Sequence, residues 1–280
     1  MRSAGWPRAE SYDRSSRLQT RIGGGAVLTK QLLICAALCV VLSACATQQS
    51  SMPKAQPERA SEINLELGVD YLRKGNLEQA KEKIDRALEQ DPRNAKAHAA
   101  AGLLYDRLGQ QSKSESHFER AISLDPQNPE IRNNFAAILC QRGKYERGEK
   151  MALAAIADPL YKTPEVALMN AGNCRRSAGD IQGAEGHFRK ALERKPRFAP
   201  VLYQMADLEF GQQNYMPARA FLERYMEVSR VNSASLWLAY RIERQLGNNA
   251  AADTYARRLR NEFPTSSETK ELIQSERRPG

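Results

Sequence analysis

The chain of 280 residues is poor in the residue types that build most catalytic and metal sites. It has three histidines and five cysteines. No histidine stands with cysteines or paired carboxylates at metal-ligand spacing, and the glycines at 23–25 lack the following lysine and hydroxyl of a phosphate-binding loop. Nothing assembles a nucleophile, a base and an oxyanion site. We therefore predict a binding protein, not an enzyme, with no metal, cofactor or small-molecule substrate.

The apolar run at residues 31–44, QLLICAALCVVLSA, is too short to span a bilayer. It has about a dozen apolar residues, whereas a spanning helix needs about 20, and Lys30 precedes it. The run indicates the apolar region of a secretory signal. It ends on Leu42, Ser43, Ala44 and Cys45, the pattern of a bacterial lipobox. The alternatives are an ordinary cysteine beyond a cleaved signal, or a buried helix.

The lipobox predicts a signal peptide at 1–44 and acylation of Cys45, on its thiol and on its new amino terminus, for example with palmitate. Three acyl chains are enough for stable membrane anchoring. Residues 1–26 are mixed in charge and untypical of a signal, so we expect translation to start near residue 27. Ala46 replaces the aspartate that favours inner-membrane retention. The expected location is the outer membrane, lipid-anchored and facing the periplasm.

Residues 45–60 are rich in Gln, Ser and Pro and are predicted to be a lipidated, flexible tether. Removing residues 1–44 takes away six basic and two acidic groups, so the net charge falls from +9 to +5. Because this modest excess is spread along predicted helices, it is not the concentrated basic patch of a nucleic-acid-binding protein. We therefore predict no nucleic-acid partner.

The rest of the chain repeats itself with a period of 34 residues. LELGVDYLRKGNLEQAKEKIDRALEQDP aligns with AAAGLLYDRLGQQSKSESHFERAISLDP. The aligned pairs are Gly68 and Gly102, Tyr71 and Tyr105, Gly75 and Gly109, Ala87 and Ala121, and Pro92 and Pro126. This period and these residue types resemble the tetratricopeptide repeat, a helix-turn-helix unit. Small residues let the two helices approach closely, and the proline stops the second helix.

Six such units are predicted, at 61–94, 95–128, 129–164, 165–198, 199–232 and 233–264. The third unit is two residues longer than the period, because it ends in ADPLYKTPE. A short, charged tail at 265–280 is expected to be a frayed cap. The predicted fold is therefore all-α: a tetratricopeptide solenoid of about twelve helices in a right-handed superhelix, in which each unit contacts mainly its neighbours.

The first helices of such units line a concave groove, at roughly their second, fifth, ninth and twelfth places. In the first two units the groove positions hold Leu65, Val69, Leu72, Ala99, Leu103 and Asp106, with Arg73, Lys96 and Arg107 at the edge. An apolar strip with charged edges is suited to a partner helix or extended segment. The alternative is that several of these apolar residues only pack against the neighbouring unit.

Cys140 and Cys174 are the only thiols left once Cys45 is acylated and the signal is removed. They fall on the first helices of the third and fourth units, which are expected to be neighbours. In an oxidising periplasm such a pair tends to form a disulfide. The alternative is two separately buried cysteines that act as small apolar residues.

The lipobox and repeats, followed in order by NNFAAILCQRGKYERG, ADPLYKTPEVALMNAGNC, MADLEFGQQNYMPARAFLERY and LWLAYRIERQLGN, resemble the PilF/PilW lipoproteins of type IV pilus biogenesis. The resemblance covers the whole mature chain. It implies a pilotin, a lipid-anchored adaptor that brings secretin subunits to the outer membrane and promotes their multimerisation, and so supports twitching motility. The alternative is a general periplasmic scaffold lipoprotein for peptidoglycan enzymes or for outer-membrane barrel assembly.

Overall fold

The computed structural model describes residues 56–277. This part of the chain contains thirteen α-helices and no strand. The helices are α1 Pro57–Lys74, α2 Leu77–Gln90, α3 Ala95–Arg107, α4 Gln111–Leu124, α5 Pro129–Gln141, α6 Tyr145–Ile156, α7 Pro164–Ser177, α8 Ile181–Arg194, α9 Ala199–Gly211, α10 Tyr215–Val228, α11 Ser233–Gln245, α12 Asn249–Glu262 and α13 Ser267–Arg277. None of them is long and apolar enough to cross a membrane.

The first twelve helices form six antiparallel pairs, each closed by a short turn with one residue in the left-handed region. Five turns have glycine there, with φ between 71° and 85°: Gly75, Gly109, Gly143, Gly179 and Gly247. The fifth turn has Gln213, with φ of 63°. Glycine is favoured here because it has no Cβ to clash in this conformation. The recurrent glycine of the sequence is therefore the residue at which the chain turns after the first helix in five of the six pairs.

Within a pair, close approach of the helices depends on small residues. A Cβ on Gly102 in α3 would lie 2.6 Å from Phe118 Cδ2 in α4, so only glycine fits there. The Phe118 ring is fully buried and stacks on Phe135 of α5 at a centroid distance of 5.0 Å. Phe118 therefore packs between the two helices of its own pair and also contacts the next pair.

Connections between successive pairs are four residues long except after the third pair. There α6 and α7 are joined by seven residues, 157–163. Tyr161 of this longer segment is buried and packs with Ala155 and Ala167. The extra residues thus contribute a core side chain to the junction of the third and fourth units.

Both ends of the repeat array differ from the sequence-based boundaries. Helix α1 begins at Pro57, so residues 57–60, assigned above to the tether, are helical. Proline is favoured at the first helical position because its ring fixes φ at a helical value, and because the N–H group that it lacks would have no hydrogen-bond partner there. The negative charge of Glu58 in the first turn interacts favourably with the positive end of the helix dipole.

The tail expected to fray instead forms α13. Its Leu272 is completely buried and packs with Leu236 of α11 and Leu259 of α12. Because a solenoid needs its last apolar face covered, this helix acts as the cap. The tail has too few apolar residues to show helical periodicity, so the sequence pattern did not predict this helix.

The structure confirms the predicted fold class, an all-α tetratricopeptide solenoid of about six helix pairs. Predictions for the signal peptide, for Cys45 and for residues 45–55 of the tether lie outside the described residues.

Candidate functional site

The predicted groove residues lie on α1 and α3, but several are taken up by the protein's own core. Leu65 and Leu72 are buried with Leu104, and Ala99 belongs to the next core cluster. Val69 and Leu103 remain partly exposed. A partner therefore meets mainly the partly exposed side chains and the charged rim.

The charged edge residues differ in their roles. Arg107 Nη1 donates a hydrogen bond to the carbonyl oxygen of Leu72 at 2.5 Å and so caps the end of α1. Asp106 accepts from Arg142 Nη2 of the third unit at 2.6 Å, in an ion pair whose arginine is almost fully buried. Arg73 and Lys96 are exposed. Two of the four charges thus hold the units together, and two are accessible to a partner.

A cleft of about 630 Å³ opens at the N-terminal end of the array, between α1, α3 and two inter-unit connections. It includes Leu65 and Lys96 from the predicted groove. Its other lining residues are Glu58, Glu62, Glu66, Asp91, Asn94, Ala95 and Asp125. With five carboxylates and one cation in its wall, this N-terminal cleft favours a basic partner segment.

A larger cleft of about 800 Å³ lies at the other end, where α7, α9, α11 and α13 meet. Its lining residues are Arg176, Asp207, Phe210, Gly211, Gln213, Tyr215, Trp237, Tyr240, Arg241, Arg244, Gln245 and Ser275. Three cations, one carboxylate and four aromatic rings face this C-terminal cleft. Its charge is the reverse of the N-terminal one.

Two of these arginines make no ion pair among residues 56–277. The Arg241 guanidinium lies over the Phe210 ring at 4.2 Å and near Trp237 at 5.8 Å, while Arg244 Nη1 donates to Asn249 Oδ1 at 2.7 Å. Arg176, in contrast, is paired with Asp207. The aromatic faces hold Arg241 in place without neutralising it.

The C-terminal cleft was missed by the sequence analysis, although its signal was present. The rule used for the first two units takes the second, fifth, ninth and twelfth places of the first helix. In the last three units the same rule selects twelve residues, and six of them line this cleft: Arg176, Asp207, Phe210, Trp237, Arg241 and Arg244.

Cys140 and Cys174 form a disulfide between α5 and α7, with their Cα atoms 5.0 Å apart. Nearby, Glu149 of α6 is buried between Arg175 and His187, whose Nε2 lies 2.8 Å from Glu149 Oε1. Burial raises the pKa of the Glu149 carboxyl, but hydrogen bonds from Arg175 and His187 outweigh it and leave that pKa below its ordinary value. The third and fourth units are thus joined covalently and electrostatically.

The structure also brings together two histidines that the sequence left apart. His98 Nδ1 of α3 lies 3.0 Å from His117 Nδ1 of α4, and Tyr105 stacks on His117. Burial lowers the pKa of both imidazoles. Within residues 56–277 no three potential ligands gather as they would for a metal ion.

Comparison with known proteins first defines the class. Tetratricopeptide repeat families match residues 65–129 and 136–197, residues 117–150, and residues 175–241. The protein is therefore a tetratricopeptide repeat protein, in agreement with its helix pairs.

Similar proteins and solved structures identify a family within the tetratricopeptide repeat proteins. The chain is 28% identical over 239 residues to the type IV pilus assembly protein PilF of Pseudomonas aeruginosa, covering 84% of this chain and 94% of that protein. The crystal structure of PilW, a type IV pilus biogenesis factor, superposes with a TM-score of 0.71 at 30% identity, over 76% of this chain and 98% of PilW. A PilF structure from Pseudomonas aeruginosa gives 0.69 at 28% identity, over 78% and 99%. The chain belongs to the PilF/PilW family of type IV pilus biogenesis proteins.

Proposed function

We propose that the protein is a pilotin, an outer-membrane lipoprotein that binds secretin subunits and promotes their localisation and multimerisation for type IV pilus biogenesis. The observation that carries this proposal is similarity over nearly the full length of PilF and PilW, at 94% and 98% of those chains. Similarity of that extent covers the whole repeat array, at 28–30% identity. The protein acts as a non-enzymatic adaptor.

The two parts of the chain have separate tasks. Acyl chains on Cys45 hold the protein in the outer membrane, facing the periplasm, and the residues that follow give the repeats reach. The helix pairs present a rigid inner surface to the partner. The presence of a lipobox upstream of a repeat array supports this division.

The N-terminal cleft is the proposed secretin site. Its five carboxylates favour a segment with basic side chains, and the partly exposed Val69 and Leu103 supply apolar contacts beside it. Leu65 is unsuitable for testing this site, because a charge at this buried position would destabilise the core as well as the interface. Exposed carboxylates make the cleaner test.

The test reverses two charges on the cleft side of α1. Glu62→Lys combined with Glu66→Lys places two cations in the N-terminal cleft. Glu89→Lys with Glu193→Lys, at exposed positions of α2 and α8, makes the same change in net charge away from the cleft and is the control for folding and surface charge. We expect the cleft variant to copurify less secretin and to lower the amount of heat-resistant secretin multimer. Multimer levels and copurification equal to those of the control would refute this site.

The alternative scaffold function is separated from the pilotin by deletion. Loss of twitching and of the secretin multimer supports the pilotin, whereas broad envelope defects with normal pili support a scaffold. Cys45→Ser addresses the anchor: we expect the secretin multimer to move from the outer-membrane to the inner-membrane fraction. If this protein and the secretin multimer both stay in the outer-membrane fraction in the Cys45→Ser variant, lipid anchoring is contradicted.

A further inference from the structure

The C-terminal cleft has the features of a second binding site. It is separate from the N-terminal cleft, which is built from α1, α3 and the connections after α2 and α4. No lining residue is common to the two. Its wall combines three arginines with one aspartate, and that aspartate is already paired with Arg176. The net charge available to a ligand is therefore positive.

The cations in this cleft are positioned before any ligand arrives. Arg241 is half-buried between Phe210 and Trp237, and Trp237 itself stacks on Tyr240 with ring centroids 5.4 Å apart. A guanidinium held against aromatic faces keeps its in-plane N–H donors free for a carboxylate. Less ordering of the side chain is then needed on binding.

The same cleft offers apolar contact next to the positive charge. Phe210 and Tyr215 meet at a centroid distance of 5.6 Å, and both line the cleft together with the Trp237–Tyr240 pair. Aromatic and arginine side chains are the types that contribute most to binding at protein interfaces. A ligand that fits has an acidic group and a large apolar group side by side.

We propose that the C-terminal cleft binds an extended peptide segment of a protein partner in which a carboxylate stands beside a large apolar side chain. The carboxylate pairs with Arg241 and Arg244, and the apolar side chain lies against Trp237 and Phe210. The charge of the cleft excludes the basic segment that suits the N-terminal cleft. The two ends of the array thus select different segments, and the inference does not require that the first partner be a secretin.

The test uses the mature chain in detergent micelles and fluorescein-labelled peptides with capped ends. One pool places Phe, Tyr, Trp, Leu or Met between two glutamates, a second replaces the glutamates by lysine, and a third replaces the apolar residue by alanine. We expect the first pool to bind, and each of the others to bind about tenfold more weakly or worse. Equal binding of the lysine pool, or no binding of the first pool, overturns the proposal.

Variants then assign the binding to the cleft. Arg241→Gln and, at the exposed Arg244, Arg244→Glu are each expected to weaken binding of the first pool about tenfold. Arg257→Glu, an exposed arginine on α12, is the matched control and should not change it. Unchanged affinity of both cleft variants overturns the assignment.

Two further arms of the experiment address the source of the carboxylate and independence from the other cleft. Peptides with a free carboxyl terminus distinguish a chain end from an acidic side chain as the preferred group, since either supplies the same chemistry. The Glu62→Lys and Glu66→Lys variant should keep its affinity for the acidic pool. Loss of acidic-peptide binding in that variant would overturn a separate C-terminal site, while leaving the secretin test to be judged by multimer formation.

Discussion

Gly148 on α6 lies against the Cys140–Cys174 disulfide, and replacing it by alanine tests how closely the three elements fit. A Cβ at this position would overlap Cys140 Sγ and would lie 3.0 Å from both Cys174 Sγ and the carbonyl oxygen of Ala136. A disulfide joins two helices and cannot rotate away as a free side chain does. The added methyl group must therefore displace a helix.

Two opposing effects set the magnitude. Alanine is favoured over glycine in a helix interior by about 1 kcal/mol. Overpacking a filled core costs about 1–3 kcal/mol, and the rigid disulfide places this site toward the upper end. We therefore expect Gly148→Ala to lower the free energy of unfolding by about 1–2 kcal/mol.

The same substitution should behave differently without the sulfurs. A Cys140→Ala, Cys174→Ala background removes both sulfur contacts and, of the three nearest atoms, leaves the Ala136 carbonyl oxygen at 3.0 Å, so Gly148→Ala should be neutral or stabilising. The disulfide closes a loop with a sequence separation of 34, so the background itself loses up to about 4 kcal/mol. The difference between the two effects of Gly148→Ala is the coupling energy, about 1–3 kcal/mol.

Gly186→Ala is the matched control, because a Cβ at Gly186 on α8 meets no atom within 4 Å. It should stabilise the protein by about 0.5–1 kcal/mol in both backgrounds. The assay is urea denaturation under non-reducing conditions, followed by far-ultraviolet circular dichroism. The reasoning is refuted if Gly148→Ala stabilises the disulfide-bonded protein as Gly186→Ala does, or has the same effect in both backgrounds.

Three other outcomes are expected. Gln213→Gly should stabilise the protein by about 1 kcal/mol in the same assay, because it removes the steric strain of a side chain in the left-handed conformation. A lower denaturation midpoint would contradict this prediction. Since burial lowers the pKa of His98 and His117, the folded pair stays neutral where unfolded histidine, with a pKa of 6.5, takes up protons. The free energy of unfolding should therefore be highest above about pH 6.5 and decrease below it, and the decrease should be smaller when both histidines are replaced by glutamine. Equal pH profiles for the two proteins would contradict this prediction. Mass spectrometry of unreduced protein should join Cys140 and Cys174 in one peptide pair, and two freely alkylated thiols would contradict the disulfide.

The helix pairs were predictable because their determinants recur at a fixed period. Gly75 and Gly109 mark two turns, and the places of Cys140 and Cys174 on the first helices of neighbouring units predicted their disulfide. Each of these signals is local or periodic. Periodicity of this kind is the strongest information that a single repeat sequence carries.

What the sequence did not predict depends on how the helices and units stack. Asp91 and Asp125 stand in connections of different units, and only the stacking of the units places both beside Glu62. His98 and His117 meet because a first helix and the following second helix cross at that point. Such contacts depend on how the helices and units stack in three dimensions, which the period of the sequence does not specify.

The seam between the third and fourth units explains how two distant clefts can act in one molecule. Units of a solenoid contact mainly their neighbours, so every seam between the clefts adds to the uncertainty of their relative position. This seam has the longest connection, of seven residues, and would bend most easily if the chain alone joined it. The disulfide, the buried Glu149 and the inserted Tyr161 all act there. Stabilisation is therefore concentrated where flexibility would otherwise separate the acidic N-terminal cleft from the basic C-terminal one.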